Sequence, residues 1–104
     1  MRRYIARLKR SIRKGIQWAA FEPNTETLWA EVRSEIANFL LQEWRSGGLV
    51  GAKPEEAFFV KCDRSTMTQN DIDTGRLICE IGVAPVLPAE FVILRIGQWT
   101  ASAT

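Results

Sequence analysis

Apolar side chains recur at every third or fourth position after Pro23, which is the spacing of one face of an α-helix. Asn24 belongs to the residue types that cap helix N-termini, and Glu26 places a negative charge in the first turn. Gly47 and Gly48 are typical of the point where a helix ends. The sequence therefore predicts a long amphipathic helix, with an apolar stripe of Leu28, Val32, Ile36, Phe39 and Leu40 that Trp29 and Trp44 widen.

The N-terminal segment has the same helical spacing, with two opposed faces. Its apolar face consists of Ile5, Leu8, Ile12 and Ile16. Its opposite face, named the basic stripe below, consists of Arg3, Arg7, Arg10 and Lys14. We predict a first helix here. Gly15 weakens its end by about 1 kcal/mol relative to alanine, and the QWAAF segment that follows fits either the end of the helix or a short strand.

Three later runs have the composition and the alternation of β-strands. They are AFFVKC, RLICEIGVA and FVILRIGQW, at residues 57–62, 76–84 and 91–99. In the second run, Leu77, Cys79, Ile81 and Val83 face one way. Two helices followed by three strands predict an α+β fold. We expect the two N-terminal helices to pack on a small mixed or antiparallel sheet of about three strands, open to strand addition from neighbouring molecules.

The length of 104 residues fits a single domain over residues 1–104. A content of 46% hydrophobic and 25% charged residues is that of an ordinary soluble globular protein. No apolar run approaches the roughly 20 residues needed to span a bilayer, and no secretory signal is recognisable at the N-terminus. The two cysteines then favour a reducing compartment and free thiols over a disulfide framework.

The net charge of +2 hides a concentration of positive charge at the N-terminus. Seven of the 14 basic residues fall among the first 14 positions, and no acidic residue precedes Glu22. Such a cluster can bind nucleic acid, anionic lipid or an acidic protein face. A solvated helix face without a partner is the first interpretation. A nucleic-acid site favours interleaved aromatic residues or a groove-reading motif, and the first helix offers Tyr4 alone, so among partners an acidic protein face is favoured over nucleic acid.

A polar patch separates the first two strand runs, in FFVKCDRSTMTQNDIDTGRLICEIGVAP. Because the chain contains no histidine, Cys62 has no imidazole to activate it as a nucleophile. Calcium binding is also disfavoured, since the EF-hand spacing counted back from Gly75 requires a ligand at Ile72. We therefore predict no catalytic, metal-binding or cofactor-binding residues, and a turn or single helical turn formed by Asn70, Asp71, Asp73 and Gly75.

Three segments carry a resemblance to a known family. They are SIRKGIQWAAFEPNTETLW, EIANFLLQEWRSGGLVGAKPEEAFFVKCD and TMTQNDIDTGRLICEIGVAPVLPAEFVILRIGQW, in that order along the chain. Within them, FEPN, NDIDTG and APVLPAEFV are the most specific motifs. From Arg2 to Trp99, the sequence resembles the C-terminal domain of the contractile tail sheath proteins of myophages, phage-like bacteriocins and extracellular contractile injection systems.

This resemblance implies a structural function without catalysis. The chain would be a subunit of a contractile tail sheath that polymerises around an inner tube and holds the lattice together through contraction. The implied partners are identical sheath subunits and the inner tube protein, with no cofactor, membrane, nucleic acid or small-molecule substrate. The implied location is a virion tail or an extracellular contractile particle assembled in the bacterial cytoplasm. The alternative function is a small basic nucleic-acid-binding module that uses the N-terminal helix.

The resemblance also assigns expectations to particular residues. The basic stripe becomes the candidate tube-facing surface, although many relatives mix acidic residues into this helix. Neighbouring sheath subunits exchange extended arms that add strands to one another's sheets, and residues from about 90 to 104 would form such an arm. Phe91, Ile93, Arg95 and Trp99 are then candidate subunit-interface residues, and the predicted turn would border the groove for a neighbour's arm. Full-length sheath proteins carry a large N-terminal region, so the resemblance predicts an excised domain.

Overall fold

The computed structural model describes residues 2–86 and 91–101. In it, the two long helices that the sequence predicts lie against one face of a three-stranded sheet. In chain order the elements are helix α1 (Arg2–Gly15), a 3₁₀ turn (Gln17–Phe21), helix α2 (Glu26–Arg45), helix α3 (Pro54–Ala57), strand β1 (Phe58–Lys61), helix α4 (Gln69–Thr74), strand β2 (Arg76–Val83) and strand β3 (Val92–Trp99). The α+β prediction is confirmed. The QWAAF segment, which fitted either a helix end or a strand, is helical and of the 3₁₀ type.

All strand pairs in the sheet are antiparallel, which decides between the two predicted sheet types. β2 lies in the centre, and its last four residues pair with β1, from Phe58↔Val83 to Lys61↔Glu80. On its other side, all 8 residues of β2 pair with β3, as far as Arg76↔Trp99. β1 and β3 are therefore the edges of the sheet, and neither pairs with a further strand within the described ranges.

The core lies between the helices and the inner face of the sheet. The sheet contributes Leu77, Cys79, Ile81 and Val83 of β2, as their alternation predicts, together with Leu94 and Ile96 of β3. The helices contribute Leu8, Ile12 and Ile16 of α1 and Leu28, Val32, Ile36 and Leu40 of α2. Removing one such aliphatic side chain from water contributes about 1.5–3 kcal/mol, so this burial holds the helices on the sheet. No helix in the part of the chain that the structure describes is long and apolar enough to cross a membrane.

The start of α2 differs from the prediction by one residue. Thr25 is the N-cap, and its hydroxyl accepts a hydrogen bond from the Leu28 amide at 3.3 Å. Asn24, the predicted cap, is buried, and its side chain makes tertiary contacts instead of capping the helix. Its Oδ1 accepts from the indole Nε1 of Trp29 at 2.6 Å, and its Nδ2 faces two carbonyl oxygens near the α4–β2 junction at 3.4 and 3.5 Å. Asn24 thus joins α2 to α4 and β2.

The end of α2 agrees with the prediction, and the loop after it contains one unpredicted helix. Gly47 has a φ of +90°, the left-handed conformation in which many helices end. The indole of Trp44 donates to the carbonyl oxygen of Gly51 at 2.8 Å, which ties the glycine-rich loop to α2. α3 was expected to be loop. Pro54 occupies its first turn, where a missing amide proton costs no hydrogen bond.

Replacing Asn24 with alanine is expected to destabilise the fold by about 1–3 kcal/mol, because the buried indole of Trp29 loses its acceptor. Urea denaturation followed by tryptophan fluorescence measures the free energy of unfolding. Asn38→Ala is the matched control, since Asn38 is exposed on α2, and it should change that free energy by about 0.5 kcal/mol at most. Equal free energies for Asn24→Ala and the unsubstituted chain would show that Asn24 does not hold this junction.

Candidate protein interaction site

The basic stripe of α1 faces away from the core, as its spacing predicts. All four of its side chains are exposed, whereas Leu8, Ile12 and Ile16 on the opposite side of the helix are buried. The sequence of α1 contains no acidic residue. The helix therefore presents a surface of one sign of charge, which attracts an acidic partner and repels a basic one.

Arg7 differs from the rest of the stripe because it is bound within the molecule. Its Nη2 lies 2.8 Å from Oε1 of Glu43 on α2, and its guanidinium lies 5.1 Å from the centroid of the Tyr4 ring. Half of the Arg7 side chain, 53%, stays exposed, so the ion pair contributes about 1 kcal/mol or less. Burial, and then the charge of Glu43, raises the pKa of Tyr4 above its usual value. Arg7 therefore fixes α1 against α2 and is the member of the stripe least available to a partner.

A wider group of positive charges surrounds a shallow depression on α1. The depression is lined by Lys9, Arg10, Arg13 and Lys14, named the basic cluster below, together with Ala6 and Gln17. In the described residues the two salt bridges are Arg7–Glu43 and Arg64–Glu26, so no carboxylate pairs with the basic cluster. Like charges one turn apart destabilise a helix, and an acidic partner would offset this repulsion. Lys9 and Arg13 do not belong to the basic stripe, and their four-residue spacing places them together on one flank of it.

The predicted turn residues form helix α4 and its C-terminal cap. The Asp71 amide donates to the Thr68 hydroxyl at 3.1 Å, and the Thr68 amide donates to the Asp71 carboxylate at 2.9 Å, which makes a capping box. The Asp73 carboxylate accepts from Gln69 at 2.9 Å. Gly75 has a φ of +86°, the positive φ predicted for it. These carboxylates have local partners, and across the described ranges no three histidine, cysteine or acidic side chains are grouped to hold a metal ion.

The same turn holds the segment that follows β3. The carbonyl oxygen of Gly75 accepts hydrogen bonds from the Thr100 amide at 2.8 Å and from the Thr100 hydroxyl at 2.7 Å. At the other end of α4 the exposed Asn70 takes no part in this contact, and its carbonyl oxygen accepts from the Thr74 hydroxyl at 2.8 Å. The segment at this turn is thus the chain's own, and the receipt of a neighbour's arm there stays a prediction. Residue 90 and residues 102–104 of the predicted arm lie outside the described residues.

The four interface candidates near the C-terminus lie on the sheet face opposite the helices. Ile93 and Trp99 are 51% and 61% exposed, and Arg95 between them is exposed as well. Phe91, directly before β3, is 49% exposed and stacks on Phe59 of β1. The apolar rings and the free edge of β3 thus occur together, which is a combination that protein interfaces use.

Cys62 and Cys79 behave as the sequence predicts for structural thiols. Both are free and fully buried. The hydrogen bond that the Cys79 thiol makes to Cys62, followed by burial, raises the pKa of Cys79. Because the thiolate is the nucleophilic form of cysteine, a raised pKa leaves this thiol with little reactivity at neutral pH.

Comparison with known proteins finds one family. The model of that family, described as the phage tail sheath C-terminal domain, matches residues 1–98 of this chain. Among curated proteins none matches it.

Two similar solved structures are chains of contractile particles, and each is similar over 91% of this chain. One comes from the baseplate of the anti-feeding prophage (AFP), at 43% identity and a TM-score of 0.79. The other comes from the contracted sheath complex of PVC, an extracellular contractile injection system, at 44% identity and a TM-score of 0.77. This chain spans 27% of the length of each of them. The sheath tail protein Lin1278 from Listeria innocua shares the fold over 74% of this chain and 16% of its own, at 17% identity and a TM-score of 0.54.

Replacing Asp71 with asparagine is expected to lower stability at neutral pH and to remove part of the stability loss in acid. Hydrogen bonds from Thr68, first from its backbone amide, hold the pKa of Asp71 below its usual value of about 3.9. A carboxyl whose pKa is lower in the folded chain than in the unfolded chain stabilises the fold at pH values above its unfolded pKa. This contribution is lost as the pH falls through its folded pKa. We would measure the melting temperatures of Asp71→Asn and of the unsubstituted chain by circular dichroism from about pH 7 to about pH 2. The two melting temperatures should differ at neutral pH and converge in acid.

Asp73→Asn is the matched control for this measurement. Asp73 lies on the same short helix, and its partner is the side chain of Gln69 rather than a backbone amide of the cap. Its substitution removes a carboxylate of the same helix and leaves the capping box intact, so the melting temperature at neutral pH should fall less than with Asp71→Asn. A melting-temperature difference between Asp71→Asn and the unsubstituted chain that stays constant over the whole pH range would contradict the role assigned to the Asp71 carboxylate.

Proposed function

This chain belongs to the phage tail sheath C-terminal domain family, and from that premise we propose that it is an assembly domain of a contractile tail sheath, polymerising around an inner tube and holding the lattice together through contraction. The family match over residues 1–98 carries the proposal. The domain acts in an extracellular contractile particle after assembly in the bacterial cytoplasm, and it catalyses no reaction. The alternative, a nucleic-acid-binding module, has no support from the family match or from the similar structures.

The first partner is a second copy of the chain, which exchanges β3. This strand pairs with β2 over 8 residues and buries Leu94 and Ile96. When β3 of one copy replaces β3 of its neighbour, these pairs and contacts are all kept, so the exchange costs little within the sheet. Pro85 and Pro88 lie in the connection between β2 and β3 and oppose its inclusion in a strand. Residues from about 90 to 104 are thus the exchangeable arm, which joins subunits through main-chain hydrogen bonds.

The second partner is the inner tube protein, bound through the outer face of α1. Arg3, Arg10 and Lys14 of the basic stripe are exposed, and Arg10 and Lys14 line the shallow depression together with Lys9 and Arg13. Attraction between exposed charges depends on their distance and on salt. Such contacts steer a partner into place without a large apolar interface, which suits a surface that must release the tube during contraction.

Replacing the four residues of the basic cluster with alanine is expected to weaken binding to the inner tube protein at least about fourfold. Each exposed charge pair contributes about 0.2–1 kcal/mol, and four are removed. Co-sedimentation with assembled tubes over a range of salt concentrations measures the affinity, which should fall steeply with salt for the unsubstituted chain and weakly for the variant. Arg7→Ala is the matched control, because Arg7 is paired with Glu43 and should matter little for binding. Unchanged co-sedimentation of the fourfold variant would contradict the tube-facing role.

Cysteines introduced at Glu80 and Arg95 are expected to report which copy supplies β3. These residues are direct cross-strand neighbours on the outer face of the sheet, within the range that a disulfide bridges. Oxidation of dilute chains carrying Glu80→Cys and Arg95→Cys should link β3 to its own β2, whereas concentrated chains should give covalent dimers and larger species on a non-reducing denaturing gel.

The unsubstituted chain, whose two thiols are buried, is the control for this oxidation and should remain a single band of monomer size. Links confined to single chains at every concentration would show that β3 stays in its own sheet and would contradict the exchange.

A further inference from the structure

A glycine at the centre of the sheet leaves a gap that two aromatic rings fill. Gly82 of β2 lies opposite Phe59 of β1 and opposite Ile93 of β3. A Cβ atom at Gly82 would overlap the rings of both Phe59 and Phe91. We name the space above Gly82, between these two rings, the Gly82 notch. It lies on the sheet face that the helices leave uncovered.

The two rings in the notch come from the two edges of the sheet. Their centroids are 5.8 Å apart and their planes differ by 8°, so the rings are stacked. Phe91 precedes β3 and reaches diagonally across β2 to meet Phe59, and the ammonium of Lys61 lies 5.6 Å from the Phe59 ring. One contact thus connects all three strands, and it depends on the absence of a side chain at Gly82.

The core alone fixes the register of β3 incompletely. A shift by one residue would turn Leu94 and Ile96 out of the core and is therefore excluded. A shift by two residues keeps the alternation. In one direction it would place Gln98 at the buried site of Ile96, which the core opposes, but in the other it would place Val92 and Leu94 at the sites of Leu94 and Ile96 with little change in size or polarity. The notch removes this ambiguity. After such a shift, Ile93 or Ala89 would stand in the place of Phe91, and neither side chain has a ring to stack on Phe59.

We infer that the Gly82 notch is the recognition site by which one copy of this chain selects and aligns β3 of a second copy, with the Phe91 ring as the group it recognises. This inference rests on the strand exchange proposed above. An incoming strand without an aromatic side chain directly before β3 loses the stack, and an acceptor with a side chain at position 82 loses the space for it. The notch thereby discriminates between sheath subunits that share the same apolar alternation but differ at this position.

Single cysteines in two mixed chains measure both the acceptance and the register of an exchanged strand. One chain, the acceptor, carries Glu80→Cys, and the other, the donor, carries Arg95→Cys. A disulfide between them forms when β3 of the donor pairs in register with β2 of the acceptor. Donors with Ile93→Cys or Gly97→Cys instead report shifts of two residues in either direction, since both positions lie on the same face as Arg95.

Gly82→Ala in the acceptor, or Phe91→Ala in the donor, is expected to lower the in-register link about three- to tenfold, the effect of one lost aromatic pair. The shifted link that Ile93→Cys reports should rise at the same time, because in that shift Leu94 takes the buried site of Ile96. Gly97→Ala in the donor is the matched control, because a Cβ there meets the Arg76 guanidinium at an ordinary 3.5 Å, and the link should persist. Melting temperatures of the single chains verify folding, and Phe91→Ala keeps the test valid if Gly82→Ala fails to fold, since Phe91 is half-exposed and outside the helix-covered core.

The possible results separate this inference from the proposal beneath it. If an acceptor and a donor that carry only their cysteines form no link, the exchange of β3 is overturned, and the recognition with it. A second result is that the in-register link forms for the pair that carries only the cysteines and stays equally strong with Gly82→Ala or Phe91→Ala. That result would overturn only the recognition by the notch and leave the exchange standing. A loss of the in-register link in both variants, with the Gly97→Ala link retained, is the result that supports it.

Discussion

Burial of the inner face of β2 is the constraint on which the rest of the structure depends. β2 is hydrogen-bonded on both sides, and its inward side chains lie beneath the stripes of α1 and α2. β3 covers β2 along its whole length, and β1 covers its last four residues, so within the described ranges β1 and β3 are the edge strands of the sheet. Because the apolar side of α1 is used in the core, its positive side must face outward. Both proposed interaction surfaces are therefore consequences of how one strand is covered.

The two surfaces lie on opposite sides of the domain. The outer face of α1 is separated from the outward residues of β3 by the thickness of the helix layer and the sheet. Contacts between copies through the sheet then leave the charged helix accessible, and contacts through the helix leave the strand edge accessible. A domain arranged in this way is able to engage two kinds of partner at once, which is a geometric requirement for any subunit that lies between a lattice and the object that the lattice surrounds.

Local spacing made part of this architecture predictable. The stripe of α2 and the alternation in β2 depend on neighbours within a few positions, and both were predicted correctly. Asn24 and Thr25 are both good helix caps, and the choice between them is made by Trp29, whose indole takes Asn24 as its acceptor. A single glycine in a strand gives no indication of what fills the space, so the stack above Gly82 could not be predicted. The stack depends on Phe59, Gly82 and Phe91, which are far apart in the sequence, and periodicity does not detect contacts of that kind.

The anchoring of the chain after β3 determines how this strand responds to mechanical load. Thr100 is bound to Gly75, and the Ala101 amide donates to the Glu22 carbonyl oxygen at 2.9 Å, so the strand is held beyond its last paired residue. Tension applied along β3 would load all of its sheet hydrogen bonds together, as shear, whereas a force perpendicular to the sheet would open them one after another from one end. Strands resist shear far better than peeling. In a lattice joined through β3, subunits could therefore turn and separate under strong axial tension while their junctions stay closed.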